Sequence, residues 1–174
     1  MSKFLELCHT YGKSKRAFSE YQKACNNFAR DLIAGMVQYF DWPQNQEITY
    51  IPLGEEIAPS NRFYALTGAM RMDDQSFWHF GVELTIYEYE GSNPVTFVLS
   101  FFVKKIGPHF IVKLGPNGKE IRIHEAERDK LEPLYEAVFL QVKEFFSRRY
   151  FHIINSSEKP EPGFIALVDK SAKS

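Results

Sequence analysis

The fold of this chain is decided by two segments in which apolar and polar residues alternate, VELTIY (82–87) and FVLSFFV (97–103). A large apolar residue at every second position is typical of a strand with one buried face. Between them, Gly91-Ser92-Asn93-Pro94 has the composition of a turn. We therefore predict an antiparallel hairpin with Glu90 opposite Val95. This register pairs apolar residues on one face: Ile86 with Leu99, Leu84 with Phe101, and Val82 with Val103.

The alternation continues upstream of this hairpin. A turn at 73–75 predicts a preceding strand over 64–70, with Met70 beside Trp78. The segment Glu47–Pro52 is predicted as a further strand at the edge, where a proline is tolerated because it cannot donate to a ladder.

The pattern also continues downstream. A turn at 106–108 sets Phe110 opposite Val103, and a second turn at 115–118 sets Ile123 opposite Phe110. Together the segments predict a five- or six-stranded antiparallel meander with one apolar face.

Two amphipathic segments are predicted to cover that face. The first is a helix from Ser14, its predicted N-cap, to about Phe40, ended by Trp42-Pro43. Its apolar stripe recurs at three- and four-residue steps: Phe18, Tyr21, Cys25, Phe28, Leu32, Met36 and Tyr39. The second runs from about Asp129 to about Tyr150, with apolar residues at Leu131, Leu134, Val138, Val142, Phe145 and Phe146.

The fold class is therefore predicted as two-layer α+β, with a long N-terminal and a long C-terminal helix. We assign 1–154 to one domain and 155–174 to a loop-like tail. The tail holds a short apolar patch, Phe164–Val168. Two interpretations of it remain open, a strand added to a sheet edge and a flexible terminus.

Composition excludes several protein classes. The chain has 174 residues, of which 44% are hydrophobic, so it can bury a core without disulfides or a metal. Its net charge of −1 argues against nucleic-acid binding. There is no signal-peptide pattern after Met1 and no apolar run of membrane-spanning length, which predicts a cytoplasmic protein without a membrane contact. The motifs for catalytic, metal or cofactor sites are also missing, so we predict none of these.

The reverse face of the predicted sheet is too apolar for full hydration and too polar for a dry core. We predict that it forms a subunit interface or a ligand groove. The candidate residues are His79, Glu83, Tyr87, Val98, Phe102, Ile111 and Arg122. A simpler interpretation is that the segment 47–58 or the tail folds over this face.

A second group of candidates is basic. Lys104, Lys113, His109 and His124 form a predicted anion-binding patch, with His109 directly opposite His124. The alternative is a solvated strand face whose lysines discourage edge-to-edge aggregation. Two histidines alone are too few for a metal site.

These observations predict a non-catalytic binding or protein-interaction module that forms a homodimer through the semi-apolar sheet face. Two alternatives stay open. One is a small-molecule-binding protein or enzyme with a pocket between sheet and helices. The other is a chaperone-like protein that accepts an extended peptide at a sheet edge, where the tail patch stands in for that peptide.

Overall fold

The computed structural model describes residues 2–54, 64–155 and 163–167. It has an antiparallel sheet with helices, and the predicted α+β class is confirmed. The helices are α1 (Lys3–Tyr39), α2 (Leu66–Ala69) and α3 (Glu132–Asn155), with a short 3-10 helix at Glu125–Glu127. The strands are β1 (Thr49–Ile51), β2 (Arg71–Met72), β3 (Trp78–Ile86), β4 (Val95–Ile106), β5 (His109–Leu114), β6 (Ile121–His124) and β7 (Ile165–Leu167).

The strands lie in the order β1-β3-β4-β5-β6, so the predicted meander forms the body of the sheet. Strand β2 pairs with β3, and β7 pairs with β4. The predicted edge segment 47–52 contains β1, which lies beside β3 with Tyr50 opposite Val82.

Helices α1 and α3 both pack on the apolar face of the sheet. In α1, Phe28 stacks on Phe110 of β5 with ring centroids 4.1 Å apart. In α3, Phe146 meets Phe97 of β4 edge to face at 5.3 Å. One core cluster therefore contains residues from both helices and from the sheet.

Helix α1 begins much earlier than the predicted Ser14. Ser2 is the N-cap, and its hydroxyl accepts a hydrogen bond from the backbone N–H of Leu5. Ser14 lies in the helix interior. The prediction failed because Gly12 and Ser14 resemble a start signal, although a single glycine inside a helix costs only about 1 kcal/mol.

Three predicted registers were wrong, each by an even number of residues. In the β3–β4 pair, Ile86 rather than Glu90 lies opposite Val95, because 87–94 forms a wide loop in which Ser92 Oγ accepts from the N–H groups of Glu88 and Tyr89. In the β4–β5 pair, Val112 rather than Phe110 lies opposite Val103. Even shifts leave every side chain on its predicted face.

The third wrong register lies upstream of β3. Instead of a strand over 64–70, the chain forms α2, and only Arg71–Met72 pairs with β3. Asp73 fixes the observed turn, because its carboxylate accepts hydrogen bonds from the N–H groups of Gln75 and Phe77. The β5–β6 register is confirmed, including His109 opposite His124.

The tail patch adds a strand to the sheet of its own subunit. Residues Ile165–Leu167 form β7, and Phe164 joins the core. Val168 lies outside the described residues, as does most of the predicted tail. No helix within the described ranges has the length and apolar character required to cross a bilayer.

Candidate functional site

The reverse face of the sheet brings members of both predicted groups of site residues together around one ring. Phe77 is buried, and the ammonium groups of Lys104 and Lys113 lie 4.2 and 4.3 Å from its ring centroid. Phe102 lies edge-on to Phe77, and His79 is 5.4 Å from Phe102 between ring centroids. Two cations over one aromatic ring form a cation–π cluster.

Burial governs the chemistry of this cluster. Lys113 is only 8% exposed, and its Nζ donates to the carbonyl oxygen of Pro116 at 3.2 Å. Burial lowers the pKa of His79, which favours the neutral imidazole. The Nδ1 atom of His79 is buried and has no hydrogen-bond partner in the described part of the chain. Phe77 was not among the predicted site residues, although its place on the reverse face follows from the alternation.

Two predicted interface residues are already buried within one chain. Val98 is 1% exposed and Ile111 is fully buried. Over Gly81, between His79 and Glu83, side chains of β1 and of the segment after it cover the sheet. A Cβ placed on Gly81 would lie 2.7 Å from Ile51 Cγ1 and 3.1 Å from Leu53 Cδ2. The segment 47–54 therefore covers part of this face, as the simpler interpretation predicted for 47–58; residues 55–58 lie outside the described ranges.

The remaining predicted interface residues lie apart from the cluster. Arg122 is exposed on β6, opposite Ile111. Glu83 is half-buried between Thr49 and Val98. Tyr87 lies at the far end of β3 and is 48% exposed.

The two facing histidines have separate roles. Their ring centroids are 5.1 Å apart, with perpendicular planes. Nδ1 of His124 accepts a hydrogen bond from the backbone N–H of Ala126 at 3.1 Å and so caps the short 3-10 helix. Among the described residues, no group of three or more His, Cys, Asp or Glu side chains is placed to hold a metal ion.

An open groove of about 620 Å³ lies where the loop after α1 meets the β3–β4 connection. Its lining includes aromatic side chains, two side-chain amides and one carboxylate: Trp42, Tyr87, Tyr89, Asn45, Gln46 and Glu90. The indole N–H of Trp42 is buried without a partner in the described ranges. Of the predicted site residues, only Tyr87 lines this groove.

Exposed apolar side chains also lie on the first half of α1. From Lys3 to Glu20 every residue except Gly12 is exposed, so this half of the helix projects from the body. We call Lys3–Ala17 the arm. Exposed apolar side chains lie on it at Phe4, Leu5, Leu7 and Tyr11.

The exposed apolar residues of the arm continue the stripe that packs on the sheet. Steps of three and four residues alternate from the arm to the buried part of α1, and Ser14 is the only polar residue in this series. The series is Phe4, Leu7, Tyr11, Ser14, Phe18, Tyr21, Cys25, Phe28 and Leu32. This is the spacing of a coiled-coil seam. The prediction missed the arm because it began the helix at Ser14, although the same spacing is visible upstream.

Comparisons of the chain with protein-family models, curated proteins and solved structures found no match.

Proposed function

We propose that this protein is a non-catalytic protein-interaction module that self-associates through the arm of α1. The supporting observation is the exposed apolar stripe, in which Phe4 is 70% exposed, Leu7 69% and Tyr11 68%. An apolar stripe of this kind on a projecting helix marks an interaction surface.

A partner would stabilise the arm. It has 15 residues, which corresponds to about 22 Å at ~1.5 Å per residue. The arm is continuous with the packed half of α1, so its helix needs no separate nucleation, but its side chains are exposed and Gly12 costs ~1 kcal/mol relative to alanine. Burial of the stripe against a second helix would add the packing that supplies most of the stability of helices in proteins.

A second copy of the chain fits this surface best. A two-fold axis presents the same stripe from both subunits, which makes a heptad seam complementary to itself. The proposed dimer therefore uses the arm, because Val98 and Ile111 on the semi-apolar sheet face are already buried within one chain.

Charge favours an antiparallel pair of arms. Lys3 and Glu6 lie near the free end of the arm and offset each other in formal charge, whereas Lys13, Lys15 and Arg16 make the end near the body basic. In an antiparallel pair, Glu6 of each copy lies beside the basic end of the other. A parallel pair would instead place the two basic clusters side by side.

The molar mass in solution tests this proposal. We expect the wild-type chain to form a dimer in light scattering at high micromolar concentration. The double substitution Leu7→Lys and Tyr11→Lys should give a monomer, since it places charges in the seam.

A matched control adds the same positive charge to the opposite side of the helix. His9→Lys with Glu20→Gln should leave the dimer intact, because neither residue lies on the stripe. A wild-type chain that remains monomeric at several hundred micromolar, or a stripe variant that remains dimeric, would contradict the proposal.

The groove beside Trp42 supports a second candidate function, the binding of a small neutral ligand. Aromatic side chains supply flat apolar contacts, and the side-chain amides of Asn45 and Gln46 supply donors and acceptors. Compounds from a thermal-shift screen should stabilise the wild type and fail to stabilise Tyr87→Ala. Hits that stabilise both proteins equally would exclude the groove as their site.

A further inference from the structure

The edge of β4 contains a site that the chain fills with its own tail. Along one edge, β4 pairs with β3 from Val95 to Val103. Along the other edge, β5 covers Phe101–Ile106, and only β7 covers Phe97–Leu99. Without β7, these three residues would form an open edge that another extended segment could pair with.

Phe164 anchors the tail in this position. Its ring is 8% exposed and meets Phe101 edge to face, with centroids 5.6 Å apart. The backbone N–H of Ser100 donates to the carbonyl oxygen of Phe164 at 2.9 Å. Ile165 packs against the core, while Leu167 is 37% exposed. The site therefore accepts an aromatic residue followed by aliphatic residues in extended conformation.

Gly115 forms the floor of the site. Its φ of +81° belongs to the left-handed region, and an added Cβ would lie 2.9 Å from the backbone nitrogen of Phe164 and 3.0 Å from its Cα. The tail backbone thus lies directly against this glycine, and the close contact requires a residue without a side chain.

We propose that the β4 edge over Phe97–Ser100 is a binding site for an extended peptide segment of another protein, and that β7 is an intramolecular competitor for it. The ligand class is an aromatic residue followed by alternating aliphatic residues, which is the chemistry of the tail itself. This proposal does not depend on the arm or on dimer formation.

The short length of β7 makes displacement feasible. A three-residue strand with one deeply buried side chain has a small opening free energy compared with the whole fold. Strand β7 competes well with an external peptide because it is covalently linked to α3. The link is about nine residues long, from Asn155 to Phe164, and it raises the effective concentration of β7 at the site.

The test uses a fluorescent peptide with the sequence of residues 162–168, PGFIALV. In the full-length chain, Phe164→Asp should expel the tail, because the substitution places a charge in the core. We expect this variant to bind the peptide at least tenfold more tightly than the wild type. No gain in affinity in a Phe164→Asp protein with native circular dichroism would overturn the proposal.

A second variant keeps Phe164 and so does not depend on the folding of Phe164→Asp. Insertion of about 20 glycine and serine residues after Ser157 lengthens the tether roughly threefold. The effective concentration of the tail should fall as about the −3/2 power of length, and peptide affinity should rise roughly sixfold. An insertion that leaves the affinity unchanged would exclude competition by the tail.

Backbone methylation provides a matched control in the peptide. The hydrogen bond between Ser100 and Phe164 makes Val98 and Ala166 the next hydrogen-bonded pair of the ladder, so the N–H of Ala166 points toward β4 and that of Leu167 points away. N-methylation at the Ala166 position should abolish binding, whereas N-methylation at the Leu167 position should preserve it. Equal binding of the two methylated peptides would show that the peptide does not pair with β4.

Discussion

The two halves of α1 have the same apolar spacing and opposite surroundings. From Tyr21 to Met36 the stripe belongs to the core or packs against it, and Cys25, Phe28 and Leu32 are at most 1% exposed. In the arm, the same positions are occupied by residues that are mostly exposed. The pattern alone therefore indicates which side of a helix will be buried, but not what buries it. In the packed half the partner is the sheet, and in the arm we propose a second copy of the chain.

The largest expected effect is the loss of stability when a buried side chain in the packed half of α1 is shortened to alanine. Phe28→Ala removes a ring that stacks on Phe110, and it should lower the free energy of unfolding by roughly 3–5 kcal/mol. Tyr11→Ala should change the free energy of unfolding by less than about 0.5 kcal/mol at concentrations where the chain is monomeric. Urea unfolding measures both values. A similar loss at both positions would mean that the arm packs on the body of its own chain.

Substitution of the two glycines of α1 by alanine should change the stability of the protein in opposite directions. A Cβ on Gly35 would lie 2.1 Å from Oη and 2.8 Å from Cζ of Tyr135 in α3, so Gly35→Ala should destabilise the protein by roughly 1–3 kcal/mol. On Gly12 a Cβ would meet nothing within 4 Å. Gly12→Ala should raise the helix signal in circular dichroism, with a gain of up to ~1 kcal/mol. Destabilisation by Gly12→Ala would contradict the exposed position of the arm.

A smaller effect is expected at Tyr21, where the packed half begins. Its hydroxyl donates to the carbonyl oxygen of Ser76 at 2.8 Å, and Tyr21→Phe should cost roughly 0.5–1.5 kcal/mol near pH 8. Burial, followed by the nearby Cys25, raises the pKa of Tyr21 to about 12.

The sign of the pH dependence follows from this raised pKa. The folded state favours the neutral phenol, so the stability contributed by Tyr21 is complete below pH ~10 and is lost as the pH rises toward 12. The difference in stability between the wild type and Tyr21→Phe should therefore shrink over this range in urea titrations. Tyr11→Phe on the exposed arm is the control substitution. A difference that stays constant from pH 8 to 11.5 would exclude a raised pKa at Tyr21.

The sequence by itself determined which face each strand buries and which stripe of each long helix packs. These features depend on the spacing of the apolar residues. A register shift by an even number of residues leaves each strand side chain on the same face of the sheet. The sequence also correctly placed His109 opposite His124, because the turn predicted at 115–118 sets the register that β5 and β6 have. Cys25 was correctly placed on the apolar stripe of α1, and it is buried.

Other features were decided only by the tertiary structure. The wide loop at 87–94 and the Asp73 turn set the registers of β3 with β4 and with β2 through side-chain hydrogen bonds that alternation does not encode. The meeting of Phe77, Lys104 and Lys113 required the observed register of β4 with β5. The placement of β7 depends on contacts with Phe101 and Gly115, which lie far from the tail in sequence. Period is a local property that one segment carries alone, whereas register and docking depend on contacts between segments, which form only when the chain is folded.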